Sequence, residues 1–138
     1  MANYNAFIRT NYFGVTDETK FRDIIASCCS EGDIEIFEGD GGAGKFAFGC
    51  HGNIYGIPDC SDDYDYDINA FYHGLQSVLR GSDVIIITEV GYEKMRYLTG
   101  ICTVITKQDI ACVTLGDKGL ELARSMLGNP SFDTQMEY

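Results

Sequence analysis

Two periods of apolar residues alternate along this chain, and together they predict its elements. Tyr4 to Val15 is aromatic and β-rich, and reads as a first strand. Thr16 offers an N-cap, with Asp17 and Glu18 at the positive end of the helix dipole. Phe21, Ile24, Ile25 and Cys28 then follow the helical period, and Gly32 marks the stop. Asp33 to Glu38 alternates acid with apolar, so Ile34 and Ile36 share one face of a half-buried strand. Lys45 to Gly49 alternates again through Phe46 and Phe48, after a glycine-rich turn. Asp65 or Asp67 can cap a second helix, in which Ile68, Phe71, Tyr72, Leu75, Val78 and Leu79 keep helical spacing up to Gly81. Asp83 to Val90 predicts a strand whose Val84–Ile87 run is expected to be buried on both faces. Met95 to Thr106 and Asp109 to Leu115 are two further β-rich runs, joined by a turn at Lys107-Gln108. Asp117 is the expected cap of a last helix carrying Leu120, Ala123 and Leu127, closed by Gly128-Asn129-Pro130. Residues 131–138 read as a loose tail. Hairpins outnumber crossovers in this order, so the pattern predicts an α+β fold. Helices should pack on one face of a mainly antiparallel sheet, in a single two-layer domain over residues 1–138.

The bulk composition agrees with one soluble domain. The 138 residues are 45% hydrophobic and 22% charged, which suits a globule and not a disordered chain. No apolar run approaches the roughly 20 residues that span a bilayer, and Met1 to Asn5 shows no secretory pattern. The expectation is a cytoplasmic protein that does not bind membranes. Six cysteines (28, 29, 50, 60, 102 and 112) then read as mostly reduced core residues, not as a disulfide framework.

Charge changes the picture more. Ten of the twenty-one acids lie between Glu31 and Asp67, against the single base Lys45. A field this lopsided repels nucleic acid and attracts basic surfaces or cations. Tyr55, Tyr64 and Tyr66 lie within the same segment, and tyrosine beside carboxylate suits a protein interface. The residues expected to meet a partner are Glu35, Glu38, Asp40, Asp59, Asp62, Asp63, Tyr64, Asp65 and Tyr66.

Several motifs tempt toward enzyme chemistry, and each fails on a specific residue. Gly39 to Lys45 has the glycine spacing of a phosphate-binding P-loop, but Phe46 stands where a magnesium-binding hydroxyl belongs. Lys45 also leads into a strand pattern, whereas a P-loop must open a helix. The run Asp63, Asp65, Asp67 resembles the start of a calcium loop, yet Ile68 and Gly74 occupy its glycine and glutamate positions. Cys50, His51, Cys60 and His73 are zinc-ligand types without zinc-site spacing. A Cys–His nucleophile has no local signature here, and the acidic setting would raise the thiol pKa. No catalytic residue, metal site or cofactor is therefore predicted, which leans against an enzyme.

Two stretches carry a resemblance. Asn11-Tyr12-Phe13 with Val15-Thr16-Asp17-Glu18, and Gly91-Tyr92-Glu93-Lys94-Met95-Arg96-Tyr97-Leu98-Thr99-Gly100, resemble small acidic proteins encoded on bacterial phages and conjugative elements. Such families include inhibitors of host restriction and CRISPR systems, some of which imitate DNA with carboxylates. The resemblance implies a cellular setting and assigns no functional residue.

The leading expectation is a non-enzymatic module that engages a basic, nucleic-acid-binding protein and does not itself bind nucleic acid. The alternatives are a divalent-metal enzyme using the Asp59–Asp67 carboxylates and a structural homo-oligomer, such as a homodimer.

Overall fold

The computed structural model describes residues 4–39, 44–58, 65–95 and 97–135. Its frame is a mainly antiparallel sheet of β1 (Asn5–Thr10), β2 (Phe13–Gly14), β4 (Ile34–Glu38), β5 (Lys45–His51), β8 (Ile85–Glu93), β9 (Tyr97–Ile105) and β10 (Ile110–Thr114). The order runs β10-β9-β8-β1-β5, with β2 continuing along β5 beyond β1 and β4 on the other flank of β5. A second, small sheet joins β3 (Cys29–Ser30), β6 (Ile54–Pro58) and β7 (Tyr66–Asp67). The predicted α+β class is therefore what folds.

Helices α1 (Glu18–Ser27) and α2 (Ile68–Val78) cover one face of the main sheet. Their apolar stripes deliver Phe21, Ile25, Phe71, Leu75 and Val78 to a core shared with Ile8, Phe48, Ile85, Ile87 and Ile105. The phenylalanines interlock edge to face, with ring centroids 5.7 Å apart for Phe13–Phe21 and 5.9 Å for Phe48–Phe71, an arrangement favoured by the ring quadrupole. Asp17 caps α1, accepting from the Lys20 N–H at 3.0 Å, and Asp67 caps α2, accepting from the Ala70 N–H at 3.0 Å. Gly128, in the left-handed region at φ 65°, closes α3 (Leu115–Leu127) as expected.

The differences from the sequence reading have local causes. The first strand breaks at Asn11, whose amide bridges to β8. It donates to the Val84 carbonyl at 2.9 Å and accepts from the Ile86 N–H at 2.7 Å. The cap of α1 is Asp17, one residue after the expected Thr16, and the helix stops at Cys28, before Gly32, because β3 starts there. Helix α2 ends at Leu79 and not at Gly81. Helix α3 is capped by Thr114, whose hydroxyl accepts from the Asp117 N–H at 3.1 Å. Strand β8 is buried on one face only: Ile85 and Ile87 are inside, but Ile86 is 38% exposed, since α1 and α2 cover a single side. At the C-terminal end, Arg124 Nε donates to the Phe132 carbonyl at 2.7 Å, which ties the turn after Gly128 to α3.

Candidate functional site

The acidic segment divides when it folds. Glu31 and Asp33 lie at the turn between β3 and β4. Glu35 is exposed on β4, in register with Gly49. Glu38, at the far end of β4, accepts from Arg22 Nη2 at 3.1 Å, while Arg22 Nε donates to Glu18 at 2.9 Å. Asp65 is exposed just before β7. Asp67 is engaged as the α2 cap. Asp40, Asp59, Asp62, Asp63 and Tyr64 lie outside the described residues.

Tyr66 is brought together with residues that sequence spacing did not join to it. Its ring stacks on that of Tyr55, with centroids 5.7 Å apart and planes at 27°. Both rings are exposed, at 46% and 43%. The small sheet sets this up. Pro58 pairs with Tyr66 and Ile57 with Asp67, which brings β6 alongside the strand that enters α2. Gly56 makes the approach close enough. It sits at φ 116°, and a Cβ there would meet the Asp67 backbone at 2.5 Å. The Glu31 N–H is held by the Asn53 carbonyl at 2.9 Å, and its side chain runs over Gly52 toward Tyr55. Desolvation and the Glu31 carboxylate together hold the Tyr55 hydroxyl above its ordinary pKa. Glu31, Tyr55 and Tyr66 thus form one exposed cluster of aromatic face and carboxylate. Its signal in the sequence was Gly56, a break in the alternation of β6 that also hid the strand.

The other candidate groups disperse. Cys50 is buried, whereas His51 stacks on Phe7 with centroids 4.5 Å apart on the opposite face, as successive strand residues must. His73 is exposed on α2, with Nδ1 3.4 Å from Gln76 Oε1. Burial raises the Cys28 thiol to about 11 and pushes Cys50 up as well, with Glu31 and Asp33 adding to the shift at Cys50. Such thiols stay protonated and unreactive at neutral pH. Cys28, Cys29, Cys50, Cys102 and Cys112 are free thiols, and Cys60 lies outside the described residues. Lys45 opens β5, so a strand and not a helix follows it, while residues 40–43 of the glycine-rich run lie outside the described residues. Among the described residues, no three of His, Cys, Asp and Glu converge to hold a metal ion, and no helix is long and apolar enough to cross a membrane.

A cleft of about 350 Å³ opens between α2 and strands β8–β10, lined by Ile8, Phe71, Tyr72, Ile87, Glu89 and Thr103 among others. Glu89 is its one acid among the described residues, and Tyr4 Oη donates to Glu89 Oε2 at 2.7 Å. Burial, together with that carboxylate, pushes the Tyr4 hydroxyl up, and burial does the same at Tyr72. Glu89 was legible as an acid in the inward register of Ile85 and Ile87. With its hydrogen bond made to Tyr4, it is accounted for by the fold. No protein-family model matches the chain, and neither curated proteins nor solved structures provide a match.

Proposed function

We propose that this chain is a non-enzymatic interaction module whose acidic, tyrosine-bearing side engages a basic, nucleic-acid-binding protein, in the manner of an inhibitor carried by a mobile element. The observation that supports this most is the exposed Tyr55–Tyr66 stack beside Glu31. An arginine guanidinium lies flat on an aromatic face and pairs with a carboxylate in its own plane. Stacked tyrosines also offer rigid contact area at small entropic cost. Asp33, Glu35 and Asp65 are exposed as well, and the segment from Glu31 to Asp67 carries nine of the chain's eleven net negative charges. Those charges would steer a basic partner inward and repel nucleic acid itself.

Capture from a bacterial lysate at low salt, comparing the wild type with Tyr55→Ala/Tyr66→Ala, tests the reading. The captured proteins should be basic, should be released by added duplex DNA, and should be lost in the variant. Retention by the variant, or indifference to DNA, would contradict it.

A further inference from the structure

Helix α3 is amphipathic, yet none of its residues is buried. Leu115 is 72% exposed, Leu122 61% and Met126 80%. A free helix of this length is marginal in water, and among the described residues α3 meets its own sheet at Leu115 beside Gly100 but leaves Leu122 and Met126 open. The outer face of the sheet is open as well. Phe7, Ile86, Val90, Tyr92 and Val113 all stand exposed there. Register makes them neighbours: Phe7 pairs with Val90, Val90 with Gly100, and Cys102 with Val113. The two surfaces are continuous. The Leu115 side chain fills the space that a Cβ on Gly100 would take, and it borders a small cavity with Val90, Cys102 and Val113. Leu122 and Met126 continue the line of Leu115 at i+7 and i+11.

We propose that two copies of this chain pack through this surface, each laying α3 across β1, β8, β9 and β10 of the other. Area favours it. At roughly 100 Å² per part-exposed side chain, the eight named here on sheet face and helix offer about 800 Å². A standard interface uses about 800 Å² per partner, and the largest apolar patch of a typical monomer is about 300–600 Å². Symmetry favours a second copy over an unrelated protein, because one two-fold operation covers both unpartnered surfaces on both chains. The dimensions agree. Helix α3 is about 20 Å long at ~1.5 Å per residue, enough to cross four strands spaced at ~4.8 Å. Tyr55 and Tyr66 belong to the small sheet, while Glu35, in register with Gly49 and Arg9, stands on the outer face of the main sheet.

The test is sedimentation of the full chain from about 1 to about 100 µM, the range in which an interface of this size assembles. The wild type should be a dimer. Val90→Glu and Met126→Glu should each raise the dissociation constant at least about tenfold, the effect of burying an unpaired charge, with circular dichroism unchanged. Both positions face solvent, at 49% and 80% exposure. Should Val90→Glu fail to fold, Met126→Glu decides alone. Added salt should tighten the dimer, because each copy carries a net charge of −11 and screening relieves their repulsion. A basic partner would respond to salt in the opposite sense, and Tyr55→Ala/Tyr66→Ala should dimerise like the wild type, so the two proposals fail separately. A wild type that stays monomeric at about 100 µM, or a folded variant that dimerises like it, overturns the proposal.

Discussion

Tyr55 and Tyr66 stack at 5.7 Å across the small sheet, and both rings keep more than two-fifths of their surface exposed. Aromatic pairs of this kind generally form inside a core, where burial contributes most of their stabilisation. Here the Gly56 approach to the Asp67 backbone fixes the pair at the surface, beside Glu31. Backbone geometry thus holds a contact surface that burial does not.

The core should respond to cavity formation. Leu75 is fully buried in α2, between α1 and the sheet. Leu75→Ala should lower stability by about 2–5 kcal/mol, measured by urea unfolding. A loss below about 0.5 kcal/mol would mean that the α2 stripe is not part of the core.

Gly56→Ala should disturb the small sheet more than an ordinary surface change. The position combines a φ of 116° with a 2.5 Å approach of any Cβ to the Asp67 backbone. A loss of about 1–3 kcal/mol is expected from strain alone, together with changed tyrosine fluorescence as the ring stack separates. A neutral substitution with unchanged fluorescence would contradict this role for Gly56.

Alkaline stability should report the buried thiol. Burial raises Cys28 from its ordinary 9.0 to about 11. Between these values the folded chain keeps a proton that the unfolded chain releases, so stability must fall as pH rises. Cys50 and Tyr72, also raised by burial, act in the same direction. The contribution of Cys28 is fully present below about pH 9 and lost through about pH 11. Cys28→Val should flatten the melting temperature against pH in that window. An unchanged slope would place the thiol in solvent.

How far the sequence disclosed this arrangement depended on what each pattern could encode. The α2 stripe and the acid–apolar alternation of β4 were legible because a single period settles which face is inside. The run Val84–Ile87 was not, because four consecutive apolar residues read the same whether one face is covered or two. Strand β6 was hidden by Gly56 and Pro58, which break its alternation for the sake of the close approach to Asp67. The sequence offers both Thr114 and Asp117 as capping residue types before the apolar stripe of α3, and in the fold the Thr114 hydroxyl takes the role and begins the helix earlier than Asp117 would. The charge of the acidic segment was plain, but its clustering was not. Linear order put Tyr66 with Asp62, Asp63 and Tyr64, while pairing between β6 and β7 puts it with Tyr55, and Glu31 joins them from the turn after β3.

The most direct test of the basic-partner account is titration calorimetry with oligo-arginine and oligo-lysine peptides of equal length. Charge attraction alone treats the two alike, whereas stacking on tyrosine favours arginine. The wild type should bind the arginine peptide at least about threefold more tightly, in keeping with a cation–π contribution of roughly 0.5–1 kcal/mol. Tyr55→Ala/Tyr66→Ala should erase that preference and keep the salt-dependent attraction. A wild type indifferent to arginine over lysine, or a double variant that keeps the preference, would contradict the account.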